Sequence, residues 1–488
     1  MSVPASAISR ITGVDVAYKN FNIGQAQMLP QRLAVIGQGS DSATYTTEKF
    51  EVESAIDVAE RFGYGSPLHL AIRQLFPLIG KGASFPVTIY PLQKATSAVA
   101  ATSSIGATGT ATASGSGKIH IGGVDCQFAV AKGDTGATVL AAIKAAIDGE
   151  LDMPCTTGTI ADDAIPLTSK ASGTVGNLIK IWAEINAPGI TFAITNFASG
   201  ALDPDVATAL TAIGEVWETA ILSCFPYNDQ DRLDDYYAWG TERWGYLNKK
   251  PCIVFHGCTD NYATRSAVTD QRPNDRINAL VQATGSPELP YVIGAKAMVF
   301  DILTTADSNP AQGYKGLLEG LKAGADSAQE TYLTRNMSVT KGASTSIKNG
   351  NETELNDVIT MFHPANQGKY PGWRYVVDAM KLMNVVYNVR LIMEADELKG
   401  APLLPDSAVT SNKSAVQPKM IKSYFITLAQ SLEKKAILAD ANFSKENMTV
   451  KIDSENPKRL NVEFPCKLSG NIEVSSTDIY FGFYLGED

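Results

Sequence analysis

Short apolar runs and helical stripes alternate along the chain. Leu33 to Ile36 in QRLAVIGQG predicts a buried strand, closed by Gly37 and Gly39. Val52, Ile56 and Ala59 then recur at helical spacing. That helix is expected to stop near Gly63, and a second to begin near Pro67. FPVTIYPL reads as the next strand, so residues 30–92 carry an α/β pattern. The character changes at Gln93. From there to Gly117 the residues are small and polar and read as a linker, or else an exposed loop. Ile119 and Ile121, then Val124, Cys126, Phe128 and Val130, alternate on either side of a Gly122-Gly123 turn. Asp134 or Thr135 caps a helix striped by Val139, Ile143 and Ile147. More strand and turn follows, in PLTSKASGTVGNLIKI and ITFAITNFASG.

Strand–helix alternation resumes after this block. Val206, Leu210, Ile213 and Trp217 share one side of a helix that leads into a strand. DDYYAWGTERWGYL reads as a helix, its aromatics a core or a binding face, and Ile253 to Phe255 as a buried strand. NDRINALVQATG reads as a helix; the pattern of YVIGAKAMVFDILTTAD fits strand and helix equally; GYKGLLEGLKAG reads as irregular. Near the end a strong helix places Val376, Met380, Met383 and Tyr387 on one face, and a second helix follows within 415–440. The pairs Val450/Ile452, Leu460/Val462 and Ile472/Val474 predict a meander. The fold class expected is multidomain α/β. A discontinuous α/β core, 30–92 plus 199–350, carries an inserted β-rich domain at 93–198 and is followed by a C-terminal α+β domain at 351–474. Extended N- and C-terminal arms, 1–29 and 475–488, complete it.

Composition supports a large core: of 488 residues 44% are hydrophobic and 19% charged, which excludes disorder for the bulk of the chain. The net charge of −10 argues against direct nucleic-acid binding, which needs a concentrated basic surface. No apolar run is long enough to span a bilayer, and MSVPASAISR lacks the apolar stretch of a signal peptide, so folding in cytoplasm without membrane insertion is expected. Six scattered cysteines are too sparse for a disulfide framework and are expected as buried thiols.

Catalytic signals are thin. His256, Cys258 and Asp260 in FHGCTD could form a nucleophilic or metal-binding group at a strand end, as an enzyme on a doubly wound α/β core would require. A satisfied histidine at a strand end is the simpler reading. The acidic residues from Asp229 to Asp235 lack the spacing of a calcium loop and read as a solvated loop with helix caps. IGQGSDSATY does not complete a dinucleotide fingerprint, and no phosphate loop or nucleophile elbow occurs. No cofactor and no metal are expected. An adhesin-like surface protein, suggested by the β-rich block alone, would call for a secretion signal.

The chain's last run is harder to place. Ile479 to Leu485 contains Tyr480, Phe481, Phe483 and Tyr484 and reads as a strand. Termini normally fray, so a strand this apolar requires a sheet, in its own chain or in another.

Taken in order, these segments resemble the tail sheath proteins of contractile-tailed phages, in particular those of Mu-like phages. The resemblance rests on ITGVDVAY and QRLAVIGQG at the front, and on KIHIGGVDCQFAVAKGDTGATVLAAIKAAI with PLTSKASGTVGNLIKI in the inserted block. It rests also on GWRYVVDAMKLMNVVYNVRL and the closing YFGFYL. GDT and SG-x-x-GN are its most specific pieces; the front lacks the proline-containing arm that Mu-like sheaths often carry. The resemblance implies a structural subunit, not an enzyme, that stacks as six-subunit rings around a tail tube, with the inserted block protruding. It implies contraction that drives the tube through the host envelope for genome ejection. Partners implied are neighbouring sheath subunits, the tail tube protein, and baseplate and tail terminator proteins, within a virion assembled in host cytoplasm. The arms would complete neighbours' sheets, through Val14, Val16 and Tyr18 at the front and Ile479, Tyr480, Phe481, Phe483, Tyr484 and Leu485 at the end.

Overall fold

The first described strand becomes the middle of the largest described sheet. In the computed structural model, which describes residues 24–77, 82–296, 301–365, 372–473 and 475–481, β1 (Leu33–Gln38) is buried along its whole length. It is followed by β2 (Phe50–Glu51), α1 (Ala55–Phe62), α2 (Pro67–Leu75) and β3 (Val87–Leu92). Ser54 caps α1 by accepting from the Asp57 amide, and α1 stops at Gly63, whose φ of 92° suits glycine. Ser66 caps α2, with Pro67 in its first turn as the sequence predicts.

The next stretch builds two sheets of its own. It contains β4 (Ala100–Gly109), β5 (Gly115–Ile121), β6 (Val124–Val130), α3 (Gly136–Asp148), β7 (Cys155–Thr157), β8 (Ala164–Ser172), β9 (Ile181–Asn186) and β10 (Ile190–Ile194). One sheet has the order β10-β4-β8-β7 and the other β6-β5-β9, all antiparallel. The linker expected over 93–117 is therefore two strands. Its small residues misled: Ala101, Ser103, Ile105 and Ala107 alternate inward along β4, and their size lets α3 approach so closely that a Cβ on Gly136 would lie 2.3 Å from the Ala107 carbonyl oxygen. Thr135 caps α3, and the Asp134 carboxylate accepts from the Ala131 amide at 2.7 Å, which accounts for GDT.

SG-x-x-GN is a fastening. The Ser172 amide and hydroxyl both donate to Asp41, the amide at 3.2 Å, and the Thr174 amide and hydroxyl both donate to Asp203, the amide at 2.6 Å. Arg232 donates to the same Asp203 carboxylate at 2.9 Å. Asn177 and Gly200 exchange two hydrogen bonds of 2.9 Å. Gly173 has φ 107°, and a Cβ there would lie 2.3 Å from Asp203 Oδ1.

Strand–helix alternation resumes with α4 (Ala207–Ile213), β11 (Ala220–Ser223), α5 (Gln230–Trp244), β12 (Ile253–Cys258), α6 (Tyr262–Thr269) and β13 (Asn278–Gln282). The large sheet then has the order β13-β12-β11-β1-β3-β2, parallel throughout except for β2. Its face against α4 and α5 packs Ala34, Ile36, Tyr90, Ile221 and Val254 on Val206, Leu210, Ile213 and Tyr236. Trp217 lies beyond that helix, which ends at Gly214, and donates to the Pro251 carbonyl instead. The segment expected as a helix at 274–285 is the strand β13. A short apolar run does not distinguish the two locally, and the pairing of all five residues with β12 decides it. Its outer edge is covered: the Met361 amide donates to the Asn278 carbonyl at 2.8 Å, and the Ser344 amide to that of Leu280 at 3.2 Å.

Next come α7 (Pro290–Ile293), α8 (Asp301–Ser308), β14 (Gly316–Lys322), α9 (Tyr332–Thr340), β15 (Thr345–Asn349) and β16 (Glu352–Asp357). The ambiguous segment YVIGAKAMVFDILTTAD is thus helical where described. The stretch expected to be irregular is β14, in the antiparallel order β14-β16-β15. A register shift after Leu318 and Gly320 at φ 77° explain why its alternation was hard to see.

Residues 28–310 and 314–383 form one compact unit; the second comprises 311–313, 384–473 and the described ends of the chain. Helix α10 (Val376–Met393) contributes to both. Val376, Met380 and Met383 are buried as expected, and Tyr387 half-buried. The second unit adds α11 (Pro418–Lys434), α12 (Ala441–Asn447), β17 (Thr449–Ile452) and β18 (Leu460–Glu463). Ile421, Phe425, Leu428 and Leu432 line the buried face of α11, and the rings of Phe425 and Phe464 meet edge-on at 5.2 Å. Only two strands of the expected meander pair. Ile472 is 87% exposed and in no strand, and Val474 lies outside the described residues.

Candidate functional site

The residues with catalytic potential are all committed to structure. His256 lies in β12, with Nε2 2.9 Å from Asn278 Oδ1, and burial holds its imidazole down at about 4. Cys258, two residues on, is also fully buried; burial and then the Asp260 carboxylate push its thiol up to about 12. Neither ring nor thiol is charged near neutrality. Asp260 accepts from the Tyr227 hydroxyl at 2.9 Å, and its amide donates to Cys258 Sγ at 3.2 Å. Arg265, with no exposed surface, donates to the Asp260 carbonyl, to Thr284 at 3.0 Å, to Ser338 at 3.0 Å and to both oxygens of Glu330 at 2.8 and 2.9 Å. Strand ends, helix starts and neighbouring loops are tied together here, with no open nucleophile.

The acidic run is spent in the same way. Asp229 caps α5, Arg232 pairs with Asp203 and Asp229, and Arg272 bridges Asp234 and Asp275 at 2.8 Å each. Burial, followed by the neighbouring carboxylates Asp205, Asp231, Asp234 and Asp229, raises Asp235. Among the described residues no group of three or more His, Cys, Asp or Glu side chains could hold a metal ion, and no helix is long and apolar enough to cross a membrane.

The ends of the chain are different. Gly24 to Gln27 lie on α10 and α11: the Ala26 amide donates to Ser431 Oγ at 2.9 Å, and the Gln27 amide to Asn388 Oδ1 at 2.7 Å. Val14, Val16 and Tyr18, the strand residues expected ahead of them, lie outside the described residues. At the other end the Ser469 amide donates to the Ile437 carbonyl, and the Asn471 side chain to that of Ala311. Past this point Ile479, Tyr480 and Phe481 are in no strand and are 81%, 92% and 91% exposed. Phe483, Tyr484 and Leu485 lie outside the described residues. Three consecutive large apolar side chains almost fully in water form a surface that demands a partner.

The same unit holds a sheet that is incomplete. Strands β17 and β18 pair antiparallel from Thr449↔Glu463 to Ile452↔Leu460, and no third described strand joins them. Val450, Ile452, Leu460 and Val462 remain half-exposed. A two-stranded hairpin is marginal alone and offers two edges of unpaired backbone groups. Sequence reasoning marked these strands but, expecting Ile472 in a third, not their isolation among the described residues.

No family model matches the chain. It is 26% identical over 474 residues, 95% of this chain and 96% of the relative's length, to the Mu-like prophage FluMu tail sheath protein of Haemophilus influenzae. Its fold matches that of a sheath tail protein from Listeria innocua, with a TM-score of 0.50 at 10% identity over 92% of this chain and 94% of that one. A sheath tail protein from Desulfitobacterium hafniense aligns at TM-score 0.49 and 12% identity, over 94% and 97% of the two chains. By sequence along nearly its whole length the chain is similar to a Mu-like prophage tail sheath protein, a structural protein and not an enzyme, and its mixed α/β fold is that of a solved sheath tail protein.

Proposed function

We propose that the chain is the subunit of a contractile phage tail sheath, stacking as six-subunit rings around a tail tube. The single observation that carries this reading, beside the family likeness, is the pairing of surpluses in one unit. Among the described residues, an apolar segment at 479–481 has no sheet, and a hairpin at 449–463 has no strand on either side. Strand addition between copies answers both, with backbone hydrogen bonds supplying affinity and side-chain pockets the register. The arm strands are Val14, Val16 and Tyr18 at the front and Ile479 to Leu485 at the end. Such contacts join unlike surfaces, so they propagate into rings and tubes rather than closing a dimer. Several arm links per subunit keep the lattice connected while weaker contacts exchange.

In this reading the core is 30–92 with 199–350, the 93–198 block protrudes from the tube as an inserted domain, and 351–474 with the arms, 1–29 and 475–488, makes the lattice. The extended lattice is a kinetically trapped packing held by baseplate and terminator proteins. Contraction releases it and drives the tube through the host envelope for genome ejection. The subunit is assembled in host cytoplasm into the virion and has no direct contact with nucleic acid or membrane. Electron microscopy of the purified protein tests the reading. Hollow striated tubes are the expected result, and a monodisperse monomer at every concentration and salt condition tried would refute it.

A further inference from the structure

We infer that Asn388 and Ser431 form a socket that fixes the backbone at Ala26 and Gln27, the root of the proposed N-terminal arm, and so positions that root for assembly. The inference rests on the sheath reading. Asn388, 1% exposed, spends its whole side chain at the site: Oδ1 accepts from the Gln27 amide at 2.7 Å, and Nδ2 donates to the Gln27 carbonyl at 2.8 Å and to the Asn384 carbonyl at 2.8 Å. One amide thus meets both backbone groups of one residue, as a neighbouring strand would. The Ala26 amide faces the other helix and donates to Ser431 Oγ at 2.9 Å. Alternate backbone groups are held from α10 and from α11, which is the spacing an extended chain presents.

Gly24 completes the fit. It lies so close to α11 that a Cβ would come within 2.5 Å of the Tyr424 carbonyl oxygen, and its φ of 96° favours glycine. The side chains of Gln25 and Gln27 point into water, so the helices hold the backbone and not the sequence. An asparagine inside a helix is unfavourable and costly when buried without partners, and Asn388 on the α10 face is explained by this clasp. Residues already ordered at the root do not have to be ordered when a neighbour takes up the arm. Asn388 and Ser431 are therefore positioning residues for assembly.

The test uses the full-length chain and two readouts: hydrogen exchange at the Ala26 and Gln27 amides, and the protein concentration at which tubes first form. Ser431→Ala is expected to speed exchange at Ala26 about five-fold, the worth of one ordinary hydrogen bond, and Asn388→Ala to speed it at Gln27 about ten-fold. Both should raise the onset concentration of tubes about ten-fold or more, and Ser431→Thr should restore exchange and onset together. Faster exchange with tubes at the wild-type onset would overturn the inference, as would unchanged exchange. If Asn388→Ala does not fold, Ser431→Ala, which removes one oxygen at a half-buried position, decides alone. Deletion of residues 2–23 separates the two levels: tubes that survive it refute the arm reading, while exchange at 26–27 still decides the socket.

Discussion

The neighbourhood of Cys258 and the segment around Tyr480 are opposites. The first collects a thiol, an imidazole, carboxylates and an arginine, and buries the thiol, the imidazole and the arginine away from solvent, with only His256 Nδ1 and Arg265 Nε among their polar nitrogens left without a partner. The second is chemically plain, yet it exposes more than four-fifths of each of three large apolar side chains. Reactive residue types marked a place where the fold closes on itself; the unsatisfied place is made of backbone edges and apolar surface. Under the proposed sheath function, the working surface lies where the folded monomer is incomplete, and burial of polar side chains against partners is the sign of structure.

Four measurements can break or sharpen that contrast. The largest effect is expected from deleting 479–488: circular dichroism and thermal unfolding should remain those of a folded monomer, while sedimentation and microscopy show no tubes. Normal tubes from the truncated chain would place the missing partner elsewhere. Arg265→Ala should act in the reverse sense, destabilising the monomer by about 3–5 kcal/mol in urea unfolding, because it strands the buried Glu330 carboxylate. A loss below about 1 kcal/mol would show that the network is not the fastening it looks to be.

The third effect is on pH. Burial lowers His256 and His69 from the ordinary 6.5 to about 4, with the Arg73 and Lys170 charges adding to the shift at His69. Between 6.5 and 4 the unfolded chain binds these two protons and the native one does not. Their contribution to stability is therefore fully present above 6.5 and falls, by a few kcal/mol in total, as pH drops toward 4. His256→Gln should remove about half of that slope in urea titrations at pH 7.5 and 5; an unchanged slope would mean that the carboxylates alone set it. The smallest effect belongs to Cys258→Ser. Onset of tubes and contraction should match the wild type, and a changed onset would return chemistry to FHGCTD.

Much of the fold was legible because it is local. The Gly63 stop of α1, the Pro67 start of α2, the Gly122-Gly123 hairpin, the α3 stripe and the Val376–Met383 face follow from spacing and backbone chemistry that neighbours in sequence enforce. The failures fall where distant residues decide. Gln93–Gly117 has the composition of a linker, and partners in β8, β9 and β10 make it strand. Asn278–Gln282 has the apolar run of a helix turn, and an open parallel edge on β12 makes it the last strand of the sheet. Leu33–Ile36 was read correctly since its burial is continuous on both faces.

By itself, then, the sequence determined much of the order of strands and helices, most of the apolar faces they bury, the poverty of catalytic motifs and a strongly apolar run at 479–485. These are properties of composition and of spacing over a few residues. The tertiary structure alone decided which thiols and carboxylates were already spent, that β17 and β18 stand as a pair among the described residues, and that Ala26 and Gln27 are held in a clasp on α10 and α11. Each depends on hydrogen bonds between residues tens to hundreds of positions apart, and chain distance carries no trace of which groups folding brings within 3 Å of one another.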